Sequence, residues 1–134
     1  MQNSSSGGAT GGVKRLLQLE ALALLLAAVG FYAKLGASWK IFAILILAPD
    51  LAMAFYIFGP RVGAMAYNTT HSTLGPIATV AAGYLLSQPL VLAVGLIWAS
   101  HVGFDRMLGY GLKYATAFGD THLGLIGRAA RGTV

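Results

Sequence analysis

The chain has 134 residues, 57% of them hydrophobic and only 10% charged, with a mean hydropathy of +0.71. A soluble domain carries about 25% charge, so the composition points to a single integral membrane domain. With no cysteine, disulfide frameworks and thiolate metal ligation are excluded. The net charge of +5 is not a nucleic-acid footprint, because the basic residues sit singly at the ends of apolar segments.

Residues 1–13 open with a Ser- and Gly-rich stretch of low complexity, which predicts a disordered tail. Lys14-Arg15 before an apolar run has the look of a signal peptide, but no convincing small-residue cleavage site follows and a second span comes almost at once. A retained first helix is therefore expected. Four spans fit residues 14–112: about Leu16 to Ala33, Ile41 to Phe58, Val62 to Leu86 and Pro89 to Leu108. Each is near the ~20 residues that cross a ~30 Å hydrocarbon core. The third is interrupted in character at Gly75-Pro76, and Pro49 is expected to free a backbone carbonyl near Leu45 in the second. Short loops force neighbouring spans to alternate in direction. The predicted fold is an all-α membrane protein, an antiparallel bundle of four transmembrane helices, with residues 113–134 as a cytoplasmic or interfacial tail.

Positive charge sets the orientation. With the N-terminus inside, Lys14, Arg15, Arg61, Arg106, Lys113, Arg128 and Arg131 lie on the cytoplasmic side, and only Lys34 and Lys40 outside. A multi-pass protein of the inner membrane with both termini cytoplasmic is expected, its partner being the lipid bilayer.

Three of the four acidic residues, Glu20, Asp50 and Asp105, fall within these spans, as do His71 and His101. An acid at the centre of a spanning helix costs about 2.5–3.5 kcal/mol even on the lenient insertion scale, so such residues are expected to face one another and mark a functional site. At ~1.5 Å per helical residue, Glu20, Asp50, Asn68, His71, His101 and Asp105 all come out in the cytoplasmic half. His101 and Asp105 are four apart and share a helix face, as do Asn68 and His71, three apart.

Imidazoles and carboxylates projecting inward from facing helices are the inventory of helix-bundle metal sites, and they suit zinc, iron or manganese. Asp50, His71, His101 and Asp105 are the expected metal ligands, with Glu20 as a further ligand or general base. Asn68 and Tyr67 are expected to support the site. The tail segment 118–124, with Asp-x-His between glycines, suggests that Asp120 or His122 caps it; an interfacial turn is the competing reading.

Leu-Ala-Pro-Asp at 47–50, Gly-Pro-Arg-Val-Gly-Ala-Met-Ala-Tyr-Asn-Thr-Thr-His at 59–71, His-Val-Gly-Phe-Asp-Arg-Met-Leu-Gly-Tyr-Gly-Leu-Lys-Tyr at 101–114 and Phe-Gly-Asp-Thr-His-Leu-Gly at 118–124 occur in that order. Together they resemble a small bacterial integral-membrane family catalogued as domain of unknown function 4260. The resemblance implies a bacterial membrane protein and brings no activity with it. Thr-His-Ser at 70–72 is also similar to the His-Ser core of membrane-bound metal-dependent hydrolases.

The leading expectation is a metal-binding membrane protein, acting as a metal-dependent enzyme on an apolar or lipid-derived substrate. Two other classes use the same residues: a proton- or ion-conducting protein, which with so few helices calls for a homodimer, and a structural subunit whose buried His–Asp pairs fix helix register.

Overall fold

The computed structural model describes residues 8–115 and 118–126. Its helices are α1 (Gly11–Leu35), α2 (Trp39–Leu45), α3 (Pro60–His71), α4 (Leu74–Leu85) and α5 (Pro89–Met107). A 3-10 helix, Ala48–Phe58, follows α2. Three helical stretches are long and apolar enough to cross a membrane: Gly11–Leu35, Trp39–Phe58 and Pro89–Met107.

The expected third span is instead two helices of 12 residues each. They part at Ser72-Thr73, a little before the predicted Gly75-Pro76. Proline explains the offset: the Pro76 ring clashes with a helical carbonyl four residues earlier, at Ser72. Within the first turn of α4, by contrast, its missing N–H costs nothing.

The second span changes character at its middle. After Leu45 the chain passes into 11 residues of 3-10 helix, far beyond the usual 3–4. The Asp50 N–H donates to the Leu47 carbonyl three residues back rather than to Ile46 four back. The carbonyl released by Pro49 is therefore that of Ile46, one residue beyond the expected Leu45.

Helix α5 is the hub. Tyr32 of α1 packs with Ala93, Leu96 and Ile97 of α5 in the buried core, and Leu35, Phe42, Leu45 and Val80 close around them. Gly95 makes the α4 contact possible, since a Cβ there would lie 2.7 Å from the Val80 nitrogen. Helix α3 packs on the 3-10 helix, its Gly63 beneath the Tyr56 ring.

After α5 the chain is folded, and not wholly helical. Strands β1 (Asp120–Thr121) and β2 (Gly124–Leu125) pair antiparallel, and Lys113 bridges to Thr121. Leu123 is completely buried there. Ala9 N–H donates to the His122 carbonyl, so the stretch just before α1 is tied to this hairpin, and α1 itself begins at Gly11, inside the tail expected to be disordered. The rest of that tail, residues 1–7, and Arg128 and Arg131 lie outside the described residues.

Candidate metal centre

Four side chains meet where α2, the 3-10 helix, α3 and α5 converge. Asp50 stands in the first turn of the 3-10 helix, His71 ends α3, and His101 and Asp105 sit one turn apart on α5. One ligand atom from each lies within 4.8 Å of all the others. His71 Nε2 is 3.1 Å from Asp50 Oδ1 and 3.5 Å from Asp105 Oδ2. His101 Nε2 is 3.2 Å from each of the same two oxygens. The two Nε2 atoms are 3.1 Å apart.

The other ring nitrogen of each histidine fixes its tautomer. His101 Nδ1 lies 2.5 Å from the Ile46 carbonyl, and His71 Nδ1 lies 2.9 Å from the Tyr67 carbonyl. A carbonyl can only accept, so both Nδ1 atoms carry protons, the one on His71 also within 2.8 Å of the Thr70 hydroxyl, and each ring when neutral presents an Nε2 lone pair inward. Metal-ligating histidines are held in this way, with the second N–H given to a backbone carbonyl or carboxylate. The sharpest local fact is that His101 uses the carbonyl left open by the α-to-3-10 change before Asp50. One backbone irregularity thus places Asp50 and orients His101.

Two imidazole lone pairs and two carboxylates directed at one point repel each other until a metal ion or a proton lies among them. Five of the six donor separations run from 3.1 to 3.5 Å, near the roughly 3.3–3.6 Å between neighbouring ligands of a tetrahedral zinc with bonds of ~2.0–2.2 Å. The residues fit a divalent ion in number, spacing and chemistry, and the group could hold one. Both histidines are buried, whereas the side chains of Asp50 and Asp105 are 31% and 17% exposed. The centre is therefore closed on its imidazole side and open at Asp50.

The model of the family described as Domain of unknown function (DUF4260) matches residues 14–126. The chain belongs to that family. The match takes in all four residues of the cluster and most of the folded tail of this DUF4260 chain. Neither the curated proteins nor the solved structures gave a match.

The remaining candidates fall around the centre or away from it. Tyr67 stacks face to face on His71, with ring centroids 3.7 Å apart and planes 7° apart. Asn68 turns to the tail: its amide donates to the Lys113 carbonyl and accepts from the Lys113 N–H, both at 2.7 Å. Asp120 and His122 are in the hairpin and not in the four-residue group. His122 Nδ1 accepts from the Leu112 N–H at 2.7 Å. Its pKa is pushed down, first by burial and then by the Arg106 charge. Glu20 does not join the group either. It is exposed on α1, lining a cleft with Arg106 and His122. It lies two to three turns above the start of α1, on the side of that helix that faces the tail rather than the 3-10 helix.

Sequence reasoning missed three supports. Trp98 Nε1 donates to the Thr70 carbonyl at 2.5 Å, and Arg106 donates to the His71 carbonyl at 3.2 Å. These two bonds satisfy carbonyls that the break after α3 leaves without helical partners. The third is Lys113, expected as a topology-setting surface charge but only 4% exposed. Its ammonium sits 4.6 Å from the Tyr67 ring centroid and 3.6 Å from that of Phe118, and it donates to the Phe118 carbonyl at 2.8 Å. Burial pushes its pKa down to about 8, against the pull of Asp105. Lys113, Tyr67 and His71 form one column from the tail to the centre.

Proposed function

We propose that this protein binds a divalent metal ion in a membrane-embedded His2Asp2 centre, with zinc the best fit and iron or manganese compatible with the same donors. The observation that carries the reading is the convergence of two Nε2 lone pairs, each fixed by a carbonyl at Nδ1, on two carboxylates. A proton relay would string its groups along a path; here all four lie around one point. Two carboxylates also balance the charge of a divalent ion, which leaves the loaded centre neutral in a low-dielectric setting where net charge is costly.

An enzymatic role follows from the asymmetry of the centre. A bound ion that takes a water in addition to these four side chains, on the open, Asp50 side, would lower that water's pKa for hydrolysis. His71 and His101 hold their side rigidly, Tyr67 covers the His71 ring, and Lys113 places a cation behind it. An apolar or lipid-derived substrate suits a centre reached from within the bilayer.

The topology belongs to the same proposal. The α3–α4 pair serves as a broken fourth crossing, tolerated because Trp98 and Arg106 satisfy its opened carbonyls. Short connections and the contacts of α1 and α4 with α5 support neighbours alternating in direction, with both termini cytoplasmic in an inner membrane.

Elemental analysis tests this reading, on protein purified in mild detergent without chelators or a His-tag. The expected result is near-stoichiometric zinc, iron or manganese, removed by chelation and restored by the metal alone. Folded protein that takes up no metal, together with proton flux in proteoliposomes abolished by Asp50→Asn, would transfer the cluster to proton passage.

A further inference from the structure

Glu20, Arg106, His122 and Thr73 are left over from the metal centre, and they line one cleft of about 260 Å3 between α1, α5 and the tail hairpin. Its walls also include Leu17, Leu24 and Leu123. Among the described residues the Glu20 carboxylate has no hydrogen-bonding or ionic partner, although it stands within a membrane-length helix. Arg106 gives one bond to the His71 carbonyl, which leaves most of its five N–H donors for other use. His122 accepts at Nδ1, so its proton is on Nε2 and available for donation. The Thr73 hydroxyl is likewise uncommitted among the described residues. The cleft therefore offers donors for an anion and, in Glu20, a carboxylate for a cation.

The polar cleft does not stand alone. Leu24 also lines a second, almost wholly apolar groove of about 390 Å3 between α1 and α4, with Phe31, Ile77 and Tyr84. That groove runs on through Phe31, Val80, Tyr84 and Leu96 into a third that reaches Leu35. From Leu24 to Leu35 a helix rises about 16 Å, roughly half of the ~30 Å hydrocarbon core, so the groove carries on from the polar cleft across the middle of the core to Lys34 and Leu35 at its far end. At 260 Å3 the polar cleft is smaller than the ~300–1,000 Å3 that encloses a drug-sized molecule, so it suits a headgroup.

We propose that this surface binds one phospholipid with a zwitterionic, amine-bearing headgroup, its phosphate at Arg106, His122 and Thr73, its ammonium at Glu20 and an acyl chain along the α1–α4 groove. Charge complementarity selects the occupant. A free phosphate would leave Glu20 unmatched, and an anionic lipid would bring no cation to it. The site stands whether or not metal binds, since none of its polar residues is a ligand of the metal centre.

The test is titration of the detergent-solubilised protein with phosphatidylethanolamine, phosphatidylglycerol and inorganic phosphate, read by native mass spectrometry before and after chelation. Phosphatidylethanolamine is expected to bind at least tenfold more tightly than phosphatidylglycerol, and millimolar phosphate is expected not to displace it. Glu20→Gln should erase that preference, and Thr73→Val should weaken both lipids several-fold. Ala81→Trp, which fills the groove, should remove the affinity gained by lengthening the acyl chains. Bound metal should be unchanged in all three variants, so failure here leaves the metal centre standing. Equal binding of the two lipids, an unchanged preference in Glu20→Gln, or displacement by phosphate alone would overturn the proposal.

Discussion

His71 and His101 meet Nε2 to Nε2 at 3.1 Å, each ring held from behind by a backbone carbonyl. Neither nitrogen has a proton to give the other in the neutral tautomer, so a shared cation, whether a metal ion or a proton held with the carboxylates, would relieve the contact. In the proposed centre, removing either ring takes away one of four donors. His71→Ala and His101→Ala are each expected to lower metal affinity by at least ~100-fold, above the 10–100-fold typical of losing an outer partner. Metal content after gel filtration measures this; retention of full occupancy by either variant would refute shared ligation.

The carboxylates sort by position. Asp50→Asn and Asp105→Asn preserve shape but remove the charge that neutralises the ion, so both should lose metal. Asp120→Asn and Glu20→Gln lie outside the four-residue group and should keep it. Metal loss in Glu20→Gln would bring α1 into the centre and contradict the geometry described.

Asn68 makes two bonds to the Lys113 backbone. At about 0.5–1.5 kcal/mol each, Asn68→Ala should loosen the tail by roughly 1–3 kcal/mol. Amide exchange in residues 110–126 should rise about five-fold or more, with metal content unchanged. Uniform faster exchange across α5 would instead mean that the tail and the bundle unfold together.

Lys113 gives the tail a pH dependence. Its folded pKa of about 8 lies below the ordinary lysine value. Between these two values the unfolded state binds more protons than the folded one, so stability rises with pH across that window. Below about pH 8 the buried ammonium is a full penalty; above about 10.4 both states are neutral and the penalty is gone. Melting followed by tryptophan fluorescence should show Lys113→Met raising Tm at pH 7.5, with the advantage shrinking toward pH 10.5. A constant difference across that range would show that burial does not govern this lysine.

Gly95→Ala tests the packing of α4 on α5. The added Cβ would meet backbone at Val80, which cannot swing aside as a side-chain end can. Overpacking of this kind costs about 1–3 kcal/mol, and Tm in detergent should fall by several degrees. Gly30→Ala, where a Cβ meets nothing within 4 Å, should be neutral or slightly stabilising.

Much of the centre was legible in the sequence because charge in an apolar chain is conspicuous. Asp50, His71, His101 and Asp105 stood out by cost alone, and Asp105 by its one-turn spacing from His101. Glu20 met the same criterion yet lies in another cleft, since depth along a helix says nothing about which face a residue occupies. The third span misled because its length fits one crossing, whereas the backbone breaks at the end of the polar run Asn-Thr-Thr-His-Ser-Thr at 68–73. Arg106 was read as a topology residue and Trp98 was not singled out; the role of both depends on carbonyls opened by that break, which no local pattern announces. Lys113 was misplaced for a similar reason, because its burial comes from Tyr67 and Phe118, far apart in the chain.

The four donors come from segments widely separated in sequence. Asp50 and His71 are 21 residues apart, His71 and His101 a further 30. A chain emerging N-terminus first therefore delivers an aspartate and a histidine well before their counterparts on α5 exist. Until α5 arrives, His101's anchor at Ile46 is an open carbonyl and Asp50 has half its company. Closure of the centre is thus a late event in biosynthesis, and metal capture would report that the last membrane-length helix has taken its place.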